Sequence, residues 1–160
     1  PVGIRSFGPT RANISVSSNY FDESNEGTFC LAMIETQEAF DNLEDIASTP
    51  GLDGLYIGTA DLTIGLNQGK LRPGFDRKEP EMIEAKKKIL EIAHKHEKVA
   101  CLHCGTPEYA AKATNWGFDL VTITNDVRLL SGAASAHVKK FKELTNQKTD
   151  ISSETDVSSY

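Results

Sequence analysis

Short apolar runs alternate with stretches of helical periodicity along most of the chain, and four such pairs can be read in order. The first run, Phe29-Cys30-Leu31-Ala32-Met33-Ile34, ends in Glu35 and predicts a buried strand. Thr36 is placed to cap the next helix, where Ala39, Phe40, Leu43, Ile46 and Ala47 recur at helical spacing until Thr49-Pro50-Gly51 stops it. The second run, from Gly54 to Ala60, ends in Asp61. A Gly- and Pro-containing loop follows, from about Thr63 to Pro80; loops of that length without secondary structure are uncommon and often functional. The next helix, about Glu81 to Glu97, has Met82, Ile83, Ile89 and Ala93 on its apolar side, with the Lys86-Lys87-Lys88 run read as its exposed face. A third run, Val99 to Cys104, leads to Thr106 as N-cap and Pro107 at the first position of a helix that ends at Trp116-Gly117. The fourth, Leu120 to Thr124, passes through Asn125-Asp126 into a last helix that fades near Leu144.

Strands that alternate with helices across short loops indicate a parallel sheet with helices outside it. The fold class is therefore α/β. Four units are half of a (β/α)8 TIM barrel, since a whole barrel typically needs roughly 250 residues. A small doubly wound sheet is the alternative, but its Gly-x-Gly-x-x-Gly fingerprint after a strand is absent. The half barrel is the reading adopted, with residues 1–145 as one domain and the Ser/Thr/Asp-rich residues 146–160 as a disordered tail. The opening Pro1-Val2-Gly3-Ile4-Arg5 is already patterned sequence, so the chain is expected to begin within a longer protein.

The 160 residues, 39% hydrophobic and 25% charged, suffice for one packed core. A net charge of −6 with both signs interspersed lacks the basic footprint that nucleic acid demands. No apolar run approaches the roughly 20 residues of a membrane-spanning helix. Three cysteines, Cys30, Cys101 and Cys104, argue against a disulfide scaffold and for a reducing compartment, with the cytoplasm as default. Cys101 and Cys104 lie within one strand with no second pair, which does not suit a zinc or redox site.

Glu35 and Asp61 are the candidates for chemistry. Each follows an apolar strand at the end where parallel α/β folds place their sites. A carboxylate there is costly to desolvate unless a cation or hydrogen bonds satisfy it. Two of them, with water and a chelating substrate, suit a hard octahedral cation such as Mg²⁺ or Mn²⁺; capping of the following helix is the competing explanation. Gly58-Thr59-Ala60 can bring backbone N–H groups to a substrate carboxylate or simply make a tight exit from the strand. His103 shares a strand face with Cys101 and reads as a pocket residue, a general base or a hydrogen-bonded core histidine. His94 and His96 read as solvated helix-end residues, and Arg5 and Arg11 as anion binders or salt-bridge partners.

At these residues the chain resembles the HpcH/HpaI aldolase/citrate lyase family. The likeness rests on Gly3-Ile4-Arg5-Ser6-Phe7-Gly8-Pro9-Thr10-Arg11-Ala12, on Met33-Ile34-Glu35-Thr36 with Asn42-Leu43 and Ile46, and on the run Pro50 to Leu62. His103 to Glu108 and Gly117-Phe118 echo it more weakly, so that it covers about residues 1–144. The resemblance implies a barrel of the phosphoenolpyruvate/pyruvate type, here its C-terminal four units. It further implies a class II aldolase, a carbon–carbon lyase acting on 4-hydroxy-2-oxo acids through a pyruvate enolate and an aldehyde. Glu35 and Asp61 would bind the divalent cation (Mg²⁺, Mn²⁺ or Co²⁺), and the backbone at Gly58 and Ala60 the pyruvate carboxylate. His103 would line the aldehyde pocket. Two departures stand out: Thr59 replaces the motif's Pro, and Met33 stands where some members have a substrate-contacting Gln. The family's catalytic His and Arg come from the first half of the barrel and have no counterpart here, so the isolated chain is expected to be nearly inactive. A homo-oligomer, often a hexamer, is the family's usual assembly. A citrate lyase β or malyl-CoA lyase-like enzyme is the alternative within the superfamily, although no CoA-binding feature is visible. A barrel half retained only for assembly is the alternative outside enzymology.

Overall fold

The computed structural model describes residues 8, 10–15 and 19–146. The chain forms two compact units, Pro1–Cys30 and Leu31–Tyr160. In the first, α1 (Thr10–Ser15) and α2 (Tyr20–Glu23) are short helices without buried residues. Arg11 is exposed on α1, whereas Arg5 and the expected tail beyond Asn146 lie outside the described residues.

The second unit contains the alternating elements. In order they are β1 (Leu31–Ile34), α3 (Gln37–Asp41), α4 (Leu43–Ala47), β2 (Gly54–Ile57), α5 (Thr59–Asn67), α6 (Pro80–Lys95), β3 (Val99–Leu102), α7 (Pro107–Trp116), β4 (Leu120–Val121) and α8 (Asp126–Leu144). The four strands form one parallel sheet in sequential order, β1-β2-β3-β4. That order, with a helical crossover between each pair, is the connectivity of half a TIM-type barrel.

Strand alternation divides the sheet into two faces. Ile34, Leu55, Ile57, Ala100 and Leu102 are fully buried, packed in one core with Leu43, Ala47, Met82, Ile89, Ala93 and Ala113 from the helices. The opposite face bears Met33, Tyr56, Cys101 and Leu120, aligned by the register; Met33 and Leu120 are exposed. In a closed barrel this second face is the interior, filled by side chains from all the strands.

The structure revises several boundaries. The apolar stretch expected as a strand through Asp61 is strand only to Ile57, because Gly58 opens a helix whose first turn holds Asp61. Leu62 and Thr63 are buried by that helix, so the long loop shrinks to residues 68–79. The single helix expected after Thr36 breaks at Asn42, whose side-chain amide donates to the Glu38 carbonyl (2.7 Å) and competes with the helical ladder. β4 is two residues rather than five: Leu120 and Val121 are the residues paired in register with β3, and the ladder closes with Thr122 N–H donating to the Leu102 carbonyl (3.2 Å). The lysine run is not uniformly exposed. Lys86 is fully buried, its amine donating to Tyr109 Oη (2.8 Å), while Lys87 and Lys88 remain exposed. The other signals match: Thr36 and Thr106 cap α3 and α7 through their hydroxyls, Pro107 opens α7, and Gly117 closes it at φ 109°.

Candidate active site

The register brings Ile34, Ile57 and Leu102 into line, so the next residues, Glu35, Gly58 and His103, form a row at the C-terminal end of the sheet. The hydrogen bond from His103 N–H to the Ile57 carbonyl (3.2 Å) continues the ladder to that edge. Gly58 seats the Glu35 carboxylate: a Cβ on Gly58 would stand 2.2 Å from Glu35 Oε1. Gly65 does the same for the backbone, because a Cβ there would lie 2.8 Å from the Glu35 carbonyl oxygen. Two glycines therefore let α5 close onto the turn that carries Glu35.

The carboxylates of Glu35 and Asp61 feel one another. Burial raises the Glu35 pKa above its ordinary value, and the neighbouring Asp61 charge raises it further. Helix capping does not explain Glu35, since Thr36 Oγ1 already accepts from Ala39 N–H (3.1 Å) at the start of α3. Asp61, in the first turn of α5, does meet the favourable end of a helix dipole. Among the described residues no Lys, Arg or His forms an ion pair with either acid. Nor, among them, does any group of three or more His, Cys, Asp or Glu side chains form a metal-binding cluster. The two acids thus offer a pair of hard oxygen donors of the kind that could hold a divalent cation, with water or substrate needed to complete its coordination.

Gly58, Thr59 and Ala60 form the entry to α5. The first N–H groups of a helix have no i−4 carbonyl, and here the earliest ladder bond is Leu62 N–H to the Gly58 carbonyl (2.9 Å). Thr59 is buried, its hydroxyl turned toward the His103 carbonyl (3.4 Å). Met33 lies two residues before Glu35 on the barrel-interior face.

His103 sits among residues that sequence reasoning did not single out. Its Nδ1 is hydrogen-bonded with Tyr56 Oη (2.8 Å), and its ring packs against Phe75 at 4.6 Å between centroids. Burial lowers its pKa; nearby Asp76 opposes this and Arg128 adds to it. Asp76 fastens the 68–79 loop to the end of β3, its carboxylate accepting from Gly105 N–H (2.7 Å) and Thr106 Oγ1 (2.6 Å). Tyr56 was legible in principle, because it shares the Cys101 face. Phe75 and Asp76 carried only the signal of an aromatic and an acid inside a Gly/Pro loop. His94 and His96, read as solvated, each meet a carboxylate, Asp119 at 2.9 Å and Glu44 at 2.5 Å, and thereby tie helices to neighbouring elements.

Parallel β/α units with a carboxylate pair at the C-terminal end of the sheet define part of a TIM-barrel-type enzyme fold. The chain belongs to the HpcH/HpaI aldolase/citrate lyase family, whose profile matches residues 1–131. It is 39% identical over 134 residues to a hydroxypyruvate/pyruvate aldolase of Rhizorhabdus wittichii, covering 84% of this chain and 52% of that protein. A 5-keto-4-deoxy-D-glucarate aldolase of an Enterobacter species is 30% identical over 145 residues, covering 89% of this chain and 55% of the relative. The crystal structure of an HpcH/HpaI aldolase/citrate lyase family protein from Burkholderia cenocepacia superposes with a TM-score of 0.64 at 24% identity, covering 88% of this chain and 53% of the other, a likeness of fold. The chain spans about half the length of the relatives it matches.

Proposed function

We propose that this chain supplies the metal-binding half of a class II aldolase, which forms or cleaves 4-hydroxy-2-oxo acids through pyruvate and an aldehyde. The observation that carries this reading is the Glu35 carboxylate, seated against Gly58 with its pKa raised in part by Asp61. Two relatives named as aldolases support it. Glu35 and Asp61 would hold Mg²⁺, Mn²⁺ or Co²⁺. When bound, such a cation supplies Lewis-acid polarisation of a ketone, which lowers the cost of drawing a proton from the adjacent carbon. The free N–H groups at the start of α5, around Gly58, Thr59 and Ala60, orient the pyruvate carboxylate. With its hydroxyl directed at the His103 carbonyl, Thr59 offers the substrate its backbone. His103 and Met33 face the aldehyde side. Its lowered pKa keeps His103 neutral near pH 7, able to give or accept one hydrogen bond there.

The catalytic His and Arg are proposed to come from the first four β/α units, as the family resemblance implies. Activity is therefore proposed for the protein at its natural length, and the isolated chain is expected to be nearly inactive. A cytoplasmic homo-oligomer, a hexamer in the family's usual form, completes the proposal; the exposed Val127, Leu130, Val138 and Phe141 of α8 support such packing. Among the described residues no helix is long and apolar enough to cross a membrane.

The test is exchange of pyruvate methyl protons for deuterium, followed by NMR on the protein at its natural length. Exchange that requires Mg²⁺, Mn²⁺ or Co²⁺ and is lost in Glu35→Gln is expected. Absence of exchange in a folded, metal-loaded protein would sink the aldolase reading and favour the CoA-dependent lyase or the assembly-only barrel.

A further inference from the structure

The phenol of Tyr56 and the imidazole of His103 meet at the C-terminal end of the sheet, Oη and Nδ1 2.8 Å apart. Tyr56 lies on the sheet face that a closed barrel turns inward, and His103 stands in the row with Gly58 and Glu35. Which partner gives the proton decides which ring nitrogen of His103 carries its own, because a neutral imidazole has one donor and one acceptor. Burial holds the Tyr56 pKa above its ordinary value, so the phenol keeps its proton. Thr122 is the other hydroxyl beside it, but the Cys104 main chain holds that group from both sides. Its Oγ1 accepts from Cys104 N–H (2.8 Å) and donates to the Cys104 carbonyl (3.0 Å). The phenol proton is left with His103 Nδ1 as its acceptor.

Nε2 is differently placed. Among the described residues it has no hydrogen-bond partner, and no buried side-chain nitrogen or oxygen among them goes without one, so Nε2 is open to solvent. Phe75 packs on the ring at 4.6 Å between centroids, and this contact and the Nδ1 bond together fix the ring's orientation. Two charged groups face it from different elements. Asp76 of the 68–79 loop is held by Gly105 N–H and Thr106 Oγ1, and Arg128 of α8 has its Cζ 6.0 Å from the Phe75 ring centroid. They act on the ring in opposite senses and burial is the larger effect, so His103 is neutral near pH 7. A neutral ring whose Nδ1 already accepts a hydrogen bond has Nε2–H as its free group, a donor only.

We propose that Tyr56 is a positioning residue: by donating to Nδ1 it holds His103 as the Nε2–H tautomer, and the ring then donates one hydrogen bond to the carbonyl oxygen of the aldehyde partner. Tyr56 acts through His103 and does not itself touch the substrate. The identity of that oxygen rests on the aldolase reading, whereas the tautomer rests on the contacts of Tyr56 and His103 alone.

The experiment uses the protein at its natural length with bound Mg²⁺, its histidine rings labelled with ¹⁵N and the His103 signals assigned by their loss in His103→Gln. In the unsubstituted protein near pH 7, Nδ1 should show the shift of a bare ring nitrogen and Nε2 that of a protonated one. The bond from Tyr56 belongs to the neutral ring alone, so Tyr56→Phe should raise the pH at which His103 takes up a proton by about 0.5–1. Cleavage of a 4-hydroxy-2-oxo acid, followed by pyruvate release, should lose about three- to tenfold in kcat in Tyr56→Phe, with little change in KM. In a His103→Gln background the same substitution should cost less than about twofold further, because its route to the substrate is already gone. A protonated Nδ1 in the unsubstituted protein overturns the proposal without any variant. An unmoved His103 titration in folded Tyr56→Phe overturns it too, as do equal kcat losses in the two backgrounds, which would make Tyr56 a packing residue. Pyruvate exchange separates the two readings. Its absence in the unsubstituted protein removes the aldolase and this role together, whereas exchange with Nδ1 protonated removes only the role of Tyr56.

Discussion

A single methyl group at Gly58 probes the site with little disturbance elsewhere. Gly58 has φ −81° and ψ 84°, outside the left-handed region, so Ala is not penalised there by a positive φ. The cost is steric and local. The added Cβ would stand 2.2 Å from Glu35 Oε1, 2.8 Å from its Cγ and 2.9 Å from its Cδ. The carboxylate would have to retreat by roughly 1 Å to reach ordinary carbon–oxygen contact. Glu35 is not fully buried and its side chain can rotate away, so the destabilisation should stay near the low end for overpacking, about 1 kcal/mol. A metal site tolerates much less, since Mg²⁺ holds its oxygens at about 2.0–2.1 Å in near-ideal octahedral geometry. Affinity for Mg²⁺ or Mn²⁺ should therefore fall about 10–100-fold, the scale on which misplaced supporting groups act at metal sites. Titration calorimetry with Mn²⁺, paired with thermal melts in chelator, separates the two effects. Because the Glu35 pKa is raised and the bound form is the carboxylate, affinity should climb with pH through that raised value and then level off. Mn²⁺ binding in Gly58→Ala as tight as in the unsubstituted protein would refute the assignment of Glu35 as a ligand seated on this glycine.

Two further variants test the frame around the site. Burial pushes the Lys86 amine down to about 8 from 10.5, so between those values the unfolded chain takes up a proton that the folded chain refuses. Stability then falls as pH drops through this window, by on the order of 3 kcal/mol for a shift of that size. In urea titrations at pH 7.5 and 10.5, Lys86→Met should remove most of that dependence; equal pH slopes in the two proteins would contradict it. Asp76→Ala should release residues 68–79 from Gly105 and Thr106 and lower stability by roughly 1–3 kcal/mol. Limited proteolysis should then cut first within that loop, and unchanged cleavage there would show that Asp76 does not fasten it.

Local signals were legible where the physics is local. The caps at Thr36 and Thr106, Pro107 at the start of α7 and Gly117 at its end each depend on a few neighbouring residues, and each appears as expected. Strand ends were less legible, because an apolar run reads alike in a strand and in the first turn of a buried helix. Gly58-Thr59-Ala60-Asp61-Leu62 is such a run, and the burial of Leu62 and Thr63 makes it a helix. Lys86 was misread for a related reason. A lysine in a charged run suggests solvent until Tyr109, 23 residues away, supplies a buried partner.

The sequence by itself determined the alternating β/α order and, through the family motifs, the two acids that mark the candidate metal site. Periodicity and short-range capping are written into neighbouring residues, and motif spacing survives without knowledge of contacts. Only the tertiary structure decided how close those groups come. It pressed Glu35 against Gly58, joined Tyr56 and Phe75 to His103, and carried Arg128 from the start of α8 back to Gly105. These juxtapositions arise from the register of parallel strands joined by crossovers of 17 to 41 residues, a distance over which sequence pattern carries no record of which side chains will touch.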